Sequence, residues 1–378
     1  MSKDRSNACP MKKTSIGGQA LMEGIMMRGP KTTAMAVRNP RGEIVVETFP
    51  TVGKTRPAIC RWPIIRGVVG FVDSMTFGYK CLMRSAEIAG LEDMEAELER
   101  EKTEKKAAKK AAKEAKIAEK KGIAAPEEPV NPTLDTSDDD EYYEIIVEEP
   151  PSECTDAVAS EKKESSFLMT VVMILSVILA LAIAVGLFIV LPAWLYDHVL
   201  ARFIPWIDSE NNVAQSIFEG VLRVILLIGY MSLMLLMKDI RRTFQFHGAE
   251  HKTIFCYEHG KELTVENIRM ERRFHPRCGT SFLILMVLVS IFIGFFIPAS
   301  LHTSLRVLCK LAVFPLIMGI GYELIKICGK HDNLLTRIIS APGLWFQRIT
   351  VLEPDDAMIE CAIAAMKEAI PDDNSDTF

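Results

Sequence analysis

Apolar and polar residues are segregated along this chain rather than interleaved. Residues 167–192 carry no charged side chain, and an uncharged apolar run longer than about 18 residues marks a helix able to cross a bilayer. Three more apolar stretches follow, at 213–237, 281–300 and 305–327. The second is interrupted by Glu219 and Arg223, and the fourth holds Lys310, Glu323 and Lys326. Only residues 301–304 separate the third from the fourth, so these two are expected to form a tight antiparallel hairpin. The pattern predicts a mainly α, four-span helical membrane protein. Its membrane domain covers 166–330, with a polar loop at 238–280.

The flanking segments follow other rules. Within 1–60, two strand-like runs at 34–38 and 43–48 flank Asn39-Pro40-Arg41-Gly42, a turn signal that predicts a β-hairpin. This part reads as a small N-terminal α+β segment. Residues 61–90 are apolar but broken by Arg66, Asp73, Lys80 and Arg84, too often for a span. They predict a helix lying at the interface or packed on the bundle, and a buried helix of a soluble domain fits the pattern equally well. Residues 91–165 open as an Ala/Glu/Lys tract and continue into proline and acidic runs. Such a composition cannot bury enough apolar surface to fold alone, so this is a charged insertion or linker, partly helical and partly disordered. In 331–378, aromatics and arginines around 344–349 suggest an interfacial segment, and 355–370 reads as a terminal helix with one apolar face.

Composition narrows the function classes. The net charge of −5 gives no global attraction to nucleic acid, and none is expected as a partner. The nine cysteines are scattered, with no CxxC, which argues against a disulfide framework and for reduced thiols facing the cytosol or the membrane. The first 13 residues are polar and lack the apolar core of a signal peptide. Loop 193–212 has one lysine or arginine and loop 238–280 has nine. By the positive-inside rule, the polar loop and both termini are then cytoplasmic in a multi-pass protein of the cell membrane, whose evident partner is the lipid bilayer.

Charges inside spans are costly and usually paired or functional. Glu219 and Arg223 are four apart in the second span, and Lys310 lies at a similar depth in the fourth. A structural ion pair joining the two spans is expected, with a proton or ion pathway as the alternative.

The stretch "HGAEHK", 247–252, concentrates candidate chemistry. At about 100° per residue, His251 and Glu250 flank His247 on one helix face. Glu258 returns to that face if the helix continues. His275 and Cys278 stand directly before the third apolar run, which begins on the same side of the membrane as the second ends. Imidazole, thiolate and carboxylate are the donors a divalent transition metal accepts. The expected ligands are His247 and His251 with His275 or Cys278, Zn²⁺ or a similar ion as cofactor, and Glu250 as base or further ligand. Glu258 or Glu266 would orient the imidazoles. His-x-x-Glu-His is also the inverzincin spacing, and a polar helix end beside anionic lipid is the plain alternative. Near the N-terminus, "GGQALMEGIMMRGP" (17–30) combines glycines suited to close packing with Glu23 and Arg28, two further site candidates. The phosphate-loop pattern GxxxxGK[ST] is absent.

The blocks "GGQALMEGIMMRGP", "FHGAEHK" (246–252) and "HPRCGTSF" (275–282), with "RGVVGFVDSM" and "LWFQRIT", resemble the YqhQ-like family. These are bacterial multispan membrane proteins with a domain of unknown function, sometimes labelled predicted metal-dependent enzymes. The resemblance covers about 15–90 and 165–370 and leaves 91–160 as an insertion. Where relatives tend to read "TTREP", this chain has Thr350-Val351-Leu352-Glu353-Pro354 and lacks the arginine. The resemblance implies a membrane protein with a metal-dependent site facing the cytoplasm, of unassigned reaction. The rival reading is a non-catalytic scaffold or assembly factor acting through its cytoplasmic loop and N-terminal segment. An ion with an open coordination position separates the first from the second.

Overall fold

A computed structural model describes residues 13–51, 57–90, 171–172, 174–200, 211–331, 333–373 and 375–376. The insertion expected at 91–165 and the start of the first apolar run lie outside them.

The N-terminal part is a four-stranded antiparallel meander: β1 (Gly17–Leu21), β2 (Gly24–Arg28), β3 (Thr32–Arg38) and β4 (Ile44–Pro50), in that order across the sheet. The β3–β4 hairpin is the expected one, closed at Gly42 with φ 86°, a value glycine adopts without a Cβ penalty. The sequence reading did not anticipate β1 and β2. Their residues lack the polar–apolar alternation of a one-sided sheet because this sheet is covered on both faces, and β2 is buried almost throughout. Directly opposed residues share a face. Ile25, Met27 and Ala36 therefore join one apolar cluster, and Leu21, Met26, Met35 and Val37 join another.

The helices follow in order. They are α1 (Ile65–Ile88), α2 (Ile174–Val199), α3 (Asn212–Met234), α4 (Lys238–Glu258), the short α5 (Val265–Arg269), α6 (Gly279–Gly294), α7 (Thr303–Lys330), α8 (Leu334–Thr350) and α9 (Asp356–Ala369). α2, α3 and α7 are long and apolar enough to cross a membrane. α6 is shorter than its expected 281–300 span: it has 16 residues, or about 24 Å at 1.5 Å per residue against a hydrocarbon core of about 30 Å. The apolar run continues to Pro298, but the helix stops before it, as helices do ahead of proline.

One face of the sheet packs on α4 and α9, whose Phe246, Ala249, Ile254, Met358, Ile359 and Met366 fill that core. The other face packs on α1 through Cys81, Phe77 and Leu82. α1 also reaches α7, where Arg66 Nε donates to Glu323 at 2.6 Å. It leaves Val72, Met75, Tyr79 and Met83 exposed as a stripe.

In the bundle, Lys310 Nζ lies 2.6 and 2.5 Å from the two carboxylate oxygens of Glu219. Arg223 donates to the same carboxylate at 2.9 Å and to the Phe188 carbonyl at 2.9 Å. A second pair, Arg306 with Asp197 at 2.5 Å, was not anticipated from the sequence.

Candidate metal centre

α4 is polar in composition yet buried continuously from Gly248 to Ile254. The reason is what surrounds it: β1 on one side, α9 on another, and the strand-like segment 351–354 crossing over its middle. Gly248 permits that crossing, since a Cβ there would sit 1.9 Å from the Leu352 carbonyl oxygen. The crossing is tied by Leu352 N–H donating to the Phe244 carbonyl at 2.9 Å. Lys252 adds an ion pair to Glu353 and a 2.9 Å bond to the Arg269 carbonyl.

The last turn of α8 and the first residue before α6 complete the site. The His247 Nδ1–H donates to the Thr350 carbonyl at 3.0 Å, which turns Nε2 toward the Cys278 sulfur, 3.1 Å away. The His251 Nδ1–H donates to the Arg273 carbonyl at 2.5 Å. His251 Nε2 is buried with no hydrogen-bond partner among the described residues. An unsatisfied buried acceptor costs about 1–3 kcal/mol, which makes this nitrogen a candidate ligand. Cys278 caps α6, its sulfur 3.4 Å from the Thr280 amide and 3.1 Å from the Thr280 hydroxyl. One donor atom each from His247, His251 and Cys278 lies within 4.8 Å of the others.

The charges agree with this geometry. Burial alone would lower the His247 imidazole, yet the Cys278 sulfur and then Glu250 outweigh it and push it up to about 9. Burial would raise the Cys278 thiol, but the two imidazoles hold it well below the ordinary thiol range. The direction favours the thiolate, the form that ligates. Glu250 is raised by burial, opposed by His247 and His251 and by the Gly18 backbone N–H. Gly18 lies against it so closely that a Cβ there would meet Glu250 Cγ at 2.7 Å. The first glycine block thus closes on the second motif, a relation that spacing along the chain does not reveal.

His275 is not brought into the triad. Its ring centroid lies 5.7 Å from that of His251, and its Nε2 faces Glu258 at 3.5 Å. Burial lowers its imidazole, with Glu258 opposing. Glu258 is also taken: it pairs with Arg277 and accepts from the Thr14 amide at 2.9 Å. The imidazole-orienting acceptors are thus backbone carbonyls rather than Glu258 or Glu266. Gln347 fixes the loop, accepting from the His275 amide at 2.8 Å and donating to its carbonyl at 2.7 Å. Thr350 and Gln347, which hold this arrangement, appear in the sequence only as members of the block "LWFQRIT", without a role of their own. Glu23 sits in the β1–β2 turn with φ 50° and makes a two-bonded pair with Arg242, 2.5 Å at each contact. Arg28 lies on the α1 side of the sheet, 6.0 Å from the Phe77 ring centroid. Neither reaches the triad.

The architecture defines a helical protein with membrane-length apolar helices and a buried His–His–Cys cluster beside a small sheet. Residues 62–372 match the family model described as protein of unknown function (DUF1385), and the chain belongs to that family. It is 28% identical to the uncharacterized protein YqhQ of Bacillus subtilis (strain 168) over 360 residues, 94% of this chain and 92% of that protein. No solved structure matches the chain.

Proposed function

We propose that this protein is a metal-dependent enzyme of the cell membrane whose site opens on the cytoplasmic face. The observation that carries this reading is the gathering of one donor atom each from His247, His251 and Cys278 within 4.8 Å, both imidazoles held by carbonyls at Nδ1. That is the way proteins hold the neutral tautomer of a ligating histidine. Two imidazoles and a thiolate suit Zn²⁺, and three protein ligands leave a fourth position for chemistry. Such an ion, when bound, supplies Lewis acidity and an activated water. Glu250, buried beside the cluster with a raised pKa, is placed to take up a proton as general base. Metal-assisted hydrolysis is the reaction class these groups fit.

For the membrane part, the reading is four crossings, with α6 as the short third one. The nine basic residues in 238–280 support a cytoplasmic site and cytoplasmic termini. The lipid bilayer is the surrounding partner.

The role of Glu250 is tested by Glu250→Gln, with metal affinity and X-ray absorption read on the purified protein. A base leaves affinity nearly unchanged and one non-protein ligand on the ion. A loss of affinity of tenfold or more would make Glu250 a fourth ligand, the ion structural, and the scaffold reading the better one.

A further inference from the structure

On the face of the sheet turned away from Glu250, a cleft of about 450 Å³ opens between β1, β2 and α1. This volume falls in the range of small-molecule sites. Among the described residues its polar lining is Arg28, Gln19, Ser15 and Ser74, with no carboxylate. Arg28 makes no ion pair among the described residues. Its recorded contact is the Phe77 ring, 6.0 Å away, which steadies the guanidinium while satisfying none of its five N–H donors. Arg28 and Gln19 share this face because Gly17 pairs with Arg28 and Gln19 with Met26, and opposed residues point the same way. Gly17 keeps the cleft open: a Cβ there would meet nothing within 4 Å. α1, which supplies Ser74 and Phe77, turns its exposed apolar stripe of Val72, Met75, Tyr79 and Met83 the other way.

We propose that this cleft binds the phosphate group of an amphiphilic ester, with Arg28 as its charge partner. An arginine without a carboxylate, two hydroxyls and an amide give more donors than the two oxygens of a carboxylate would use. A guanidinium fork matches phosphate oxygens in pairs. Phe77 and the cleft's other apolar atoms receive the neighbouring carbon chain. With the apolar stripe of α1 in lipid, the cleft lies at headgroup depth, where such an ester is available. The proposal does not depend on the metal centre, which lies across the sheet.

The test uses the full-length protein in detergent and calorimetric titration with three probes: glycerol 1-phosphate, dihexanoyl phosphatidylglycerol and dihexanoyl phosphatidylcholine. Two variants accompany it. Arg28→Gln removes the charge, and Gly17→Leu fills the cleft at a position where a side chain meets open space. Saturable binding of phosphatidylglycerol that falls roughly 10–100-fold in both variants, at unchanged melting temperature, supports the proposal; the fold-change is that of one lost charge-assisted contact. Equal affinity for glycerol 1-phosphate would identify a soluble phosphate ester as the ligand, and binding of the lipids alone would identify a headgroup with its chains. No saturable binding of any probe, or binding untouched by both variants, overturns it.

Discussion

His247 and Cys278, 31 positions apart in sequence, face each other with the imidazole Nε2 3.1 Å from the sulfur. The contact exists because the end of α8 and the cap of α6 meet over α4, and it makes the cluster dependent on three separate elements.

The first prediction concerns pH. With His247 pushed up to about 9 and Cys278 held well below the ordinary thiol range, the proton a metal must displace at neutral pH is the one on His247. Apparent Zn²⁺ affinity should therefore rise about tenfold per pH unit between pH 6.5 and 9 and then level off. Competition titrations with a chelator across that range measure it. A flat profile above pH 6.5 would mean that His247 behaves as an ordinary imidazole.

The pH dependence of folding in the metal-free protein follows from the same two groups. The raised His247 contributes stability that is present below its unfolded value near 6.5 and is lost as pH rises through about 9. The depressed Cys278 contributes stability that is lost as pH falls through its lowered value. Between about pH 6.5 and 9 the two contributions cancel, since the folded imidazolium–thiolate pair and the unfolded imidazole and thiol each hold one proton. The melting temperature of metal-free protein should be level there and fall as pH drops below about 6.5, and Cys278→Ser should weaken that acid-side dependence. Thermal melts of the two proteins across both ranges decide it.

A third prediction rests on Gly248. Its Cβ position is blocked by backbone at 1.9 Å, which cannot swing aside as a side chain can. Gly248→Ala should cost on the order of 1–3 kcal/mol and, by moving 351–354 and the Thr350 carbonyl, weaken metal binding as well. Gly17→Ala, which meets nothing, is the matched control and should be nearly neutral. Equal melting temperatures for the two variants would show that the crossing is loosely held.

The bundle charges give a fourth. Glu219 serves two cations, Lys310 and Arg223, so the loss on its removal should exceed that on removal of either one. Glu219→Gln should cost about 3–5 kcal/mol. Lys310→Met should cost less, because Arg223 keeps its bonds to the carboxylate, to Phe188 and to Ser290. Denaturation in a fixed detergent compares them, and a larger loss for Lys310→Met would contradict the assignment.

What the chain made legible was local or periodic. Two histidines and a glutamate within one helical turn announce a shared face, and long apolar runs announce α2, α3 and α7. The hairpin of β3 and β4 was legible in its turn residues. Less accessible was whatever depends on tertiary placement. Cys278 and His275 stand equally near the site in sequence, and only the loop held by Gln347 turns one toward it and the other toward Glu258. β2 looks like no half-exposed strand because it is not one. The end of α6 is hidden inside an apolar run, and Arg306 and Asp197 lie too far apart in sequence to suggest their pairing.

The metal centre itself is tested most directly by metal analysis of purified protein, wild type beside His247→Ala and His251→Ala. The account predicts close to one equivalent of transition metal per wild-type chain and a loss of at least tenfold in affinity in each variant, with the fold retained. Metal at background level in the wild-type protein after equilibration with Zn²⁺, or full occupancy in both variants, would contradict it.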